Sequence, residues 1–351
     1  MNKIILSILT FFSLSTAAFA QEQVVEGLSY NLPKTALKFT LLIEKTTFTP
    51  GELADYANRY FMESEAVLEP STTYRIINMR MEQVGVPDSG KRFNAKASPK
   101  NNIHEVYTTP DGLLLSVNTK PVMPEETKPF APATKPKPLR PREFMTQEML
   151  SVGSQTKLAQ LCAKEIYDIR DARNELSRGQ AETMPKDGEQ MRLMLATMDK
   201  QEKALTQLFS GVTDVDTLEQ TVMFCEAGEV EKQVLFRFSD LFGLCAADDL
   251  AGAPYYISVN DLHQTPEDTR TEKEIQKAKD ETGLYVCVPG RAHVTLYQQE
   301  KKWTEKDMQY AQFGRLENVS GVLFNKKVET CYEVNPSVGN MHNLKTAEVL
   351  K

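Results

Sequence analysis

Four histidines, five cysteines and a group of aspartates near residue 245 are the side chains that could carry chemistry in this 351-residue chain. Histidine can serve as a general base or a metal ligand. Here His104, His263, His293 and His342 are scattered. No two stand at i,i+4, the spacing that turns two imidazoles toward one zinc ion. His293 falls between Ala292 and Val294 in an alternating run and is expected to point outward from a strand. Asp240 with Asp248 and Asp249 could attract a cation, but the alternating-acid pattern of a calcium loop is missing. There is no Gly-x-Ser-x-Gly elbow, and Gly153-Ser154 reads as a helix start. No glycine-rich phosphate loop occurs. No catalytic, cofactor-binding or metal-ligating residue is therefore assigned. Carboxylates that converge only in space leave no sequence trace, which keeps a glycan- or peptide-acting hydrolase as an alternative.

The cysteines are Cys162, Cys225, Cys245, Cys287 and Cys331, with no Cys-x-x-Cys pair for redox work or a zinc ribbon. Cys162 lies on an apolar helical face and reads as a small buried hydrophobe. Cys287 and Cys331 lie in strand-like runs and could meet as a disulfide, the alternative being two free buried thiols. Trp303 is the single tryptophan, beside the charged turn Gln299–Lys302. It could face solvent and stack on a sugar or a protein partner, or fold back onto its sheet.

The first twenty residues have the form of a secretory signal. Lys3 precedes the apolar run Ile4–Leu14, and Ala18-Phe19-Ala20 offers small residues for cleavage after Ala20. A periplasmic or extracellular location is expected. No later apolar run approaches the ~18 residues of a transmembrane helix. Residues 21–351 keep 40 basic side chains against 48 acidic ones, a net charge of −8, which argues against a nucleic-acid partner.

The elements that must position these groups suggest an α+β chain. Gln21–Glu26 is polar and expected to fray. A strand-rich N-terminal domain with one short helix is expected over residues 27–118. It contains strands at Leu37–Lys45 and Thr72–Val84, a turn at Pro87-Asp88-Ser89-Gly90, and a hairpin closed by Thr109–Gly112. Residues 119–142 then hold seven prolines and six basic residues against two acidic ones. That composition gives an extended, semi-rigid linker. Its functional alternative is a proline-rich ligand or a polybasic contact with an acidic surface.

Residues 144–218 read as a long antiparallel helical hairpin. Leu158, Cys162, Ile166, Ile169, Ala172 and Leu176 recur at helical spacing, and Gly179 suits a left-handed C-terminal cap. Asp187, with Gln190 three residues on, can open the second helix, whose apolar face is Met191, Met194, Leu195, Met198, Leu205 and Leu208. Gln201 and Glu202 interrupt that face. They are expected to reach solvent or to be covered by another part of the chain, while Arg173 is placed on the outer face. Residues 219–345 carry short strands with frequent turns, including a hairpin turn at Glu226–Glu231 and a turn at Pro289-Gly290. This pattern suggests a C-terminal antiparallel β-sandwich.

The runs GLSYNLPKTALKFTLLIEKTTFTPGELADYANRYF (Gly27–Phe61) and AKEIYDIRDARNELSRGQAETMPKDGEQMRLMLATMDKQEKALTQLFSG (Ala163–Gly211), with AQFGRLENV (Ala311–Val319), resemble a family of secreted Bacteroidetes proteins of unknown function. The resemblance implies a cell-envelope location and supplies no catalytic residues. Exported proteins of such bacteria carry O-linked glycans at Asp-Ser/Thr-aliphatic triplets, which makes Thr217 in Asp216-Thr217-Leu218 a glycosylation candidate. The expected function is a non-catalytic binding or scaffold module for a protein or glycan partner, without cofactor. A protein that self-associates through the helical hairpin is a further alternative.

Overall fold

The computed structural model describes residues 21–24, 28–62, 67–95, 102–122, 127–132, 134–135, 137–268, 270–273, 275–276, 284–319, 323–324 and 328–348. The expected leader, residues 1–20, lies outside them. The fold is mixed α+β, strand-rich, with several antiparallel sheets.

Thirteen strands are described: β1 (Gln21–Val24), β2 (Leu28–Thr49), β3 (Ser71–Ala95), β4 (Glu105–Thr108), β5 (Leu114–Val117), β6 (Val212–Phe224), β7 (Val230–Ser239), β8 (Gly243–Cys245), β9 (Ala253–Asp261), β10 (Tyr285–Gln298), β11 (Lys301–Asn318), β12 (Val328–Val334) and β13 (Met341–Glu348). They form three sheets in the orders β3-β2-β6, β11-β10-β9-β7-β8 and β1-β4-β5-β12-β13. Gln21–Val24, expected to fray, pairs with β4 instead.

β2 is the spine. At ~3.3 Å per residue its 22 residues span roughly 70 Å, long enough to serve more than one core. Tyr30 and Leu32 pack with Val106, Leu114, Val117, Tyr332 and Val334 of the third sheet. Leu37, Phe39, Leu41 and Ile43 then alternate onto Phe236, Tyr255, Ile257, Val294 and Leu296 of the second. Past the end of β2, Leu53 packs among helices. The core facing the C-terminal strands is thus filled from the N-terminal part of the chain. Strands on either side of residues 119–142 also share sheets: β6 pairs with β2, and β12 with β5.

Three expected turns take another form. Pro87–Gly90 does not end its strand. Asn31 pairs with Arg92 and Pro33 with Pro87, so residues 88–91 bulge opposite Leu32 alone and β3 runs on. The Asp88 carboxylate accepts from the Gly90 N–H at 3.0 Å and faces Lys34 at 3.5 Å, which holds the bulge. Pro289-Gly290 does not end β10 either: Val288 pairs with Arg315 and Gly290 with Tyr310, so residues 311–314 of β11 bulge opposite Pro289 alone. Glu226–Glu231 is not a hairpin turn, because β6 and β7 belong to different sheets and the chain crosses between them there.

The α-helices that concern the candidate site are α1 (Ala57–Phe61), α2 (Gln147–Ser151), α3 (Gln155–Arg178) and α4 (Gly188–Ser210). α3 ends on Gly179 in the left-handed region, with its N–H bonded to the Glu175 and Leu176 carbonyls. Asp187 caps α4 by accepting from the Gln190 N–H at 2.7 Å, while the Gln190 amide oxygen accepts from the Lys186 N–H. Cys162, Ile166, Ile169, Leu205, Leu208 and Phe209 make a third core with Leu53 and Ala57. Gly51 locks this core to β2: a Cβ there would stand 2.1 Å from the Leu208 carbonyl oxygen, which accepts from the Leu53 N–H.

The proline-rich segment crosses the outer face of the β3-β2-β6 sheet. Thr127 donates to Glu82 of β3, and the Phe130 N–H donates to Glu219 of β6. The Lys135 ammonium then reaches both Asp214 and Asp216 at the start of β6. Each carboxylate contact fixes one point of a segment that proline excludes from the sheet ladder.

Candidate functional site

A cavity of about 520 Å³ opens where α3, α4 and the start of β6 meet. α4 passes into β6 through Gly211 alone, at φ +74°, where a Cβ would lie 2.5 Å from the Thr49 carbonyl oxygen. A non-glycine residue would be both strained and clashing there. This direct hand-over brings helix side chains and a strand edge to one cavity wall.

One wall is an ion cluster. Glu202 lies on the α3 side of α4 and is only 14% exposed. One carboxylate oxygen accepts from Arg170 Nε at 2.6 Å and the other from Arg173 Nη1 at 2.7 Å. Arg173 also donates to Asp199 at 2.8 Å, and the two carboxylates raise its pKa, so the guanidinium stays charged. Arg170 lies against the rings of Phe61 and Tyr167, at 5.6 and 5.7 Å from their centroids. Gln201 reaches Glu165 of α3 at 3.4 Å. The polar gap in the α4 stripe thus meets polar partners on α3, and Arg173 belongs to the inter-helix face, not the outer one. The other wall holds Lys203, Thr206 and Gln207, then Val212 and Thr213 of β6. The Thr206 hydroxyl is buried without a described partner.

The residues singled out in the sequence do not gather here. Trp303 does not offer itself to solvent. It is half-buried, 5.7 Å from Tyr255, with Lys301 Nζ 3.9 Å from its ring centroid. A strand-end tryptophan covers more apolar surface by folding onto the core than by standing free. Cys287 and Cys331 are not bonded; all five cysteines are free. β10 and β12 lie in different sheets, and Cys287 Sγ sits 3.5 Å from the Ala311 carbonyl oxygen instead. Burial pushes the thiols of Cys287 and Cys162 up, the latter to about 11. Thr217 stands mid-strand in β6, opposite Glu44 and half-buried, four residues past the cavity wall. Asp240 and Asp249 serve loop backbone: Asp240 accepts from the Tyr74 N–H through its carbonyl, and Asp249 from the Ala251 N–H through its carboxylate.

One cluster was not found from spacing. His293 of β10 stands between Asp307 at 2.6 Å and Glu305 at 3.3 Å, both on β11. The two acids raise its pKa, Asp307 first, by holding the imidazolium form. The signal was the i,i+2 pair Glu305 and Asp307, which shares a strand face. The carboxylates take opposite ring nitrogens, so the three groups do not converge on one point.

A protein family described as Domain of unknown function (DUF4831) matches residues 26–342. No curated protein and no solved structure matches the chain. The chain belongs to the DUF4831 family.

Proposed function

We propose that this member of the DUF4831 family is an exported cell-envelope protein that acts as a non-catalytic binding module for a polypeptide partner. The secretory form of residues 1–20 and the resemblance to secreted Bacteroidetes proteins support the location. The observation that carries the binding role is the cavity between α3 and α4, which opens onto β6, the outermost strand of its sheet. An unpaired strand edge complements another polypeptide backbone, and an adjoining polar cavity can hold that partner's side chains. The charged groups on the α3 side of the cavity are already paired with one another, an arrangement suited to rigid presentation of a surface.

A photo-reactive residue placed at Val212, compared with one at Lys301 on β11, tests this reading in the native envelope. The expected result is a discrete adduct of higher mass at position 212, absent at position 301. Equal labelling from both positions, or no adduct from 212 in a folded protein, would overturn it.

A further inference from the structure

The long edge strands of this protein differ in how they are guarded. β3 carries Pro87, the bulge at residues 88–91 and the cations Arg75 and Arg80. β11 carries Lys301, Lys302 and Lys306 and two register shifts against β10. Charge, proline and bulges are the usual devices that stop an edge from accepting a foreign strand. β6 has no proline, no glycine and no basic residue, and its thirteen residues pair with β2 without a register shift. Its described outer side makes no backbone hydrogen bond to another strand. Val212, Val215 and Leu218 are 42, 45 and 38% exposed along that edge. A regular, partly apolar, unpaired edge is what strand addition requires.

The charge pattern selects the occupant. Asp214, Asp216 and Glu219 are the ionisable residues of β6, all acidic. The chain's own proline-rich segment already shows the matching chemistry, with Lys135 seated on Asp214 and Asp216. A second copy pairing through its own β6 would set acid against acid, which disfavours that pairing. We propose that the β6 edge over Val212–Leu218 receives an extended, lysine- or arginine-bearing strand of a partner polypeptide, whose cations take the place of Lys135. The proposal rests on the reading that the α4–β6 end docks a polypeptide, and it names that polypeptide's chemistry.

The probe is a synthetic peptide of alternating lysine and valine, tested against the full mature chain by fluorescence anisotropy and by hydrogen exchange at β6 amides. Two controls accompany it: alternating glutamate and valine, and the lysine–valine peptide with a central proline. The lysine–valine peptide is expected to bind, to slow exchange along β6 and not along β11, and to bind a few-fold tighter to Lys135→Ala. Asp214→Asn with Asp216→Asn should weaken it about tenfold, close to 1.4 kcal/mol. Both variants lie at exposed positions, and circular dichroism checks that they fold. Equal binding of the proline-interrupted or the glutamate peptide, or binding that leaves β6 exchange unchanged, would overturn the proposal. If the peptide fails while the Val212 cross-link still forms, strand addition is wrong and the docking end stands. If both fail, the functional reading falls as well.

Discussion

Glu202 gives the sharpest test of how the helices are joined. The perturbation is Glu202→Gln, which keeps the shape and removes the charge. Surface ion pairs contribute ~0.2–1 kcal/mol, whereas breaking a fully buried pair costs ~3–5 kcal/mol. Glu202 stands between these limits: its own side chain is 14% exposed, while Arg170 and Arg173 are each about a third exposed. Both carboxylate oxygens are used, one for each guanidinium. Arg173 keeps Asp199 after the substitution, but Arg170 loses its carboxylate and retains only the rings of Phe61 and Tyr167. A destabilisation of about 1–2 kcal/mol follows, or a Tm lower by roughly 1.5–3 °C in a chain of this size. Urea unfolding of the wild type, Glu202→Gln, Arg170→Met and the double variant isolates the pair, with an expected coupling near ~1 kcal/mol. Part of it should survive in 1 M salt, where the Debye length of ~3 Å screens exposed pairs most. A coupling below ~0.3 kcal/mol, or a glutamine variant more stable than the wild type, would refute the reasoning.

Further outcomes follow from other parts of the molecule. The His293 pKa is raised above its ordinary value of 6.5, so the stability it contributes is fully present below that value. That stability is lost as pH rises through the folded-state pKa. The stability difference between wild type and His293→Gln should therefore be larger at pH 5.5 than at pH 9, and a difference independent of pH would contradict the cluster. Thiol titration should find five free groups after unfolding, with exposed Cys225 reacting first in the native protein. Only three reactive thiols would restore a Cys287–Cys331 bond. Gly51→Ala should cost about 2–3 kcal/mol through backbone displacement at Leu208, and calorimetry showing an unchanged Tm would contradict the contact. Phe39→Ala, at a fully buried position between two sheets, should cost ~3–5 kcal/mol in chemical denaturation.

What the sequence made legible was local. The caps at Gly179 and Asp187 and the turn at Thr109–Gly112 depend on backbone preferences within a few residues, and composition announces them. Pro87–Gly90 and Pro289-Gly290 announced turns just as strongly, yet neither ends its strand: the first lies in a bulge of β3, and the second faces a bulge of β11. Whether such residues stop a strand or kink it depends on a partner strand continuing past them, and β2 and β11 both do. The pairing of β6 with β2 joins residues some 170 positions apart, and no periodicity carries that information. Glu202 was visible only as a flaw in an apolar stripe. Its meaning lay in Arg170 and Arg173, which that stripe does not contain.

The same distinction bears on β6. Only its second half was readable as a strand; the helical hairpin expected over residues 144–218 takes in residues 212–218, which belong to β6, and the place of that strand at the edge of a sheet was not legible at all. Position decides the consequence: in a sheet interior, Asp214, Asp216 and Glu219 would be buried charges in need of partners. At the edge they stay accessible, and the segment carrying Lys135 and Phe130 comes from elsewhere in the chain to meet them. Among the described residues, that segment engages β6 through side chains and one N–H to a carboxylate, without continuing the backbone ladder. The charge of the edge is answered within the chain while, among the described residues, its backbone is not, and a competing basic strand could supply both. Neutralising Lys135 should therefore favour such a strand, and peptide affinity unchanged in Lys135→Ala would show that the two do not share a site.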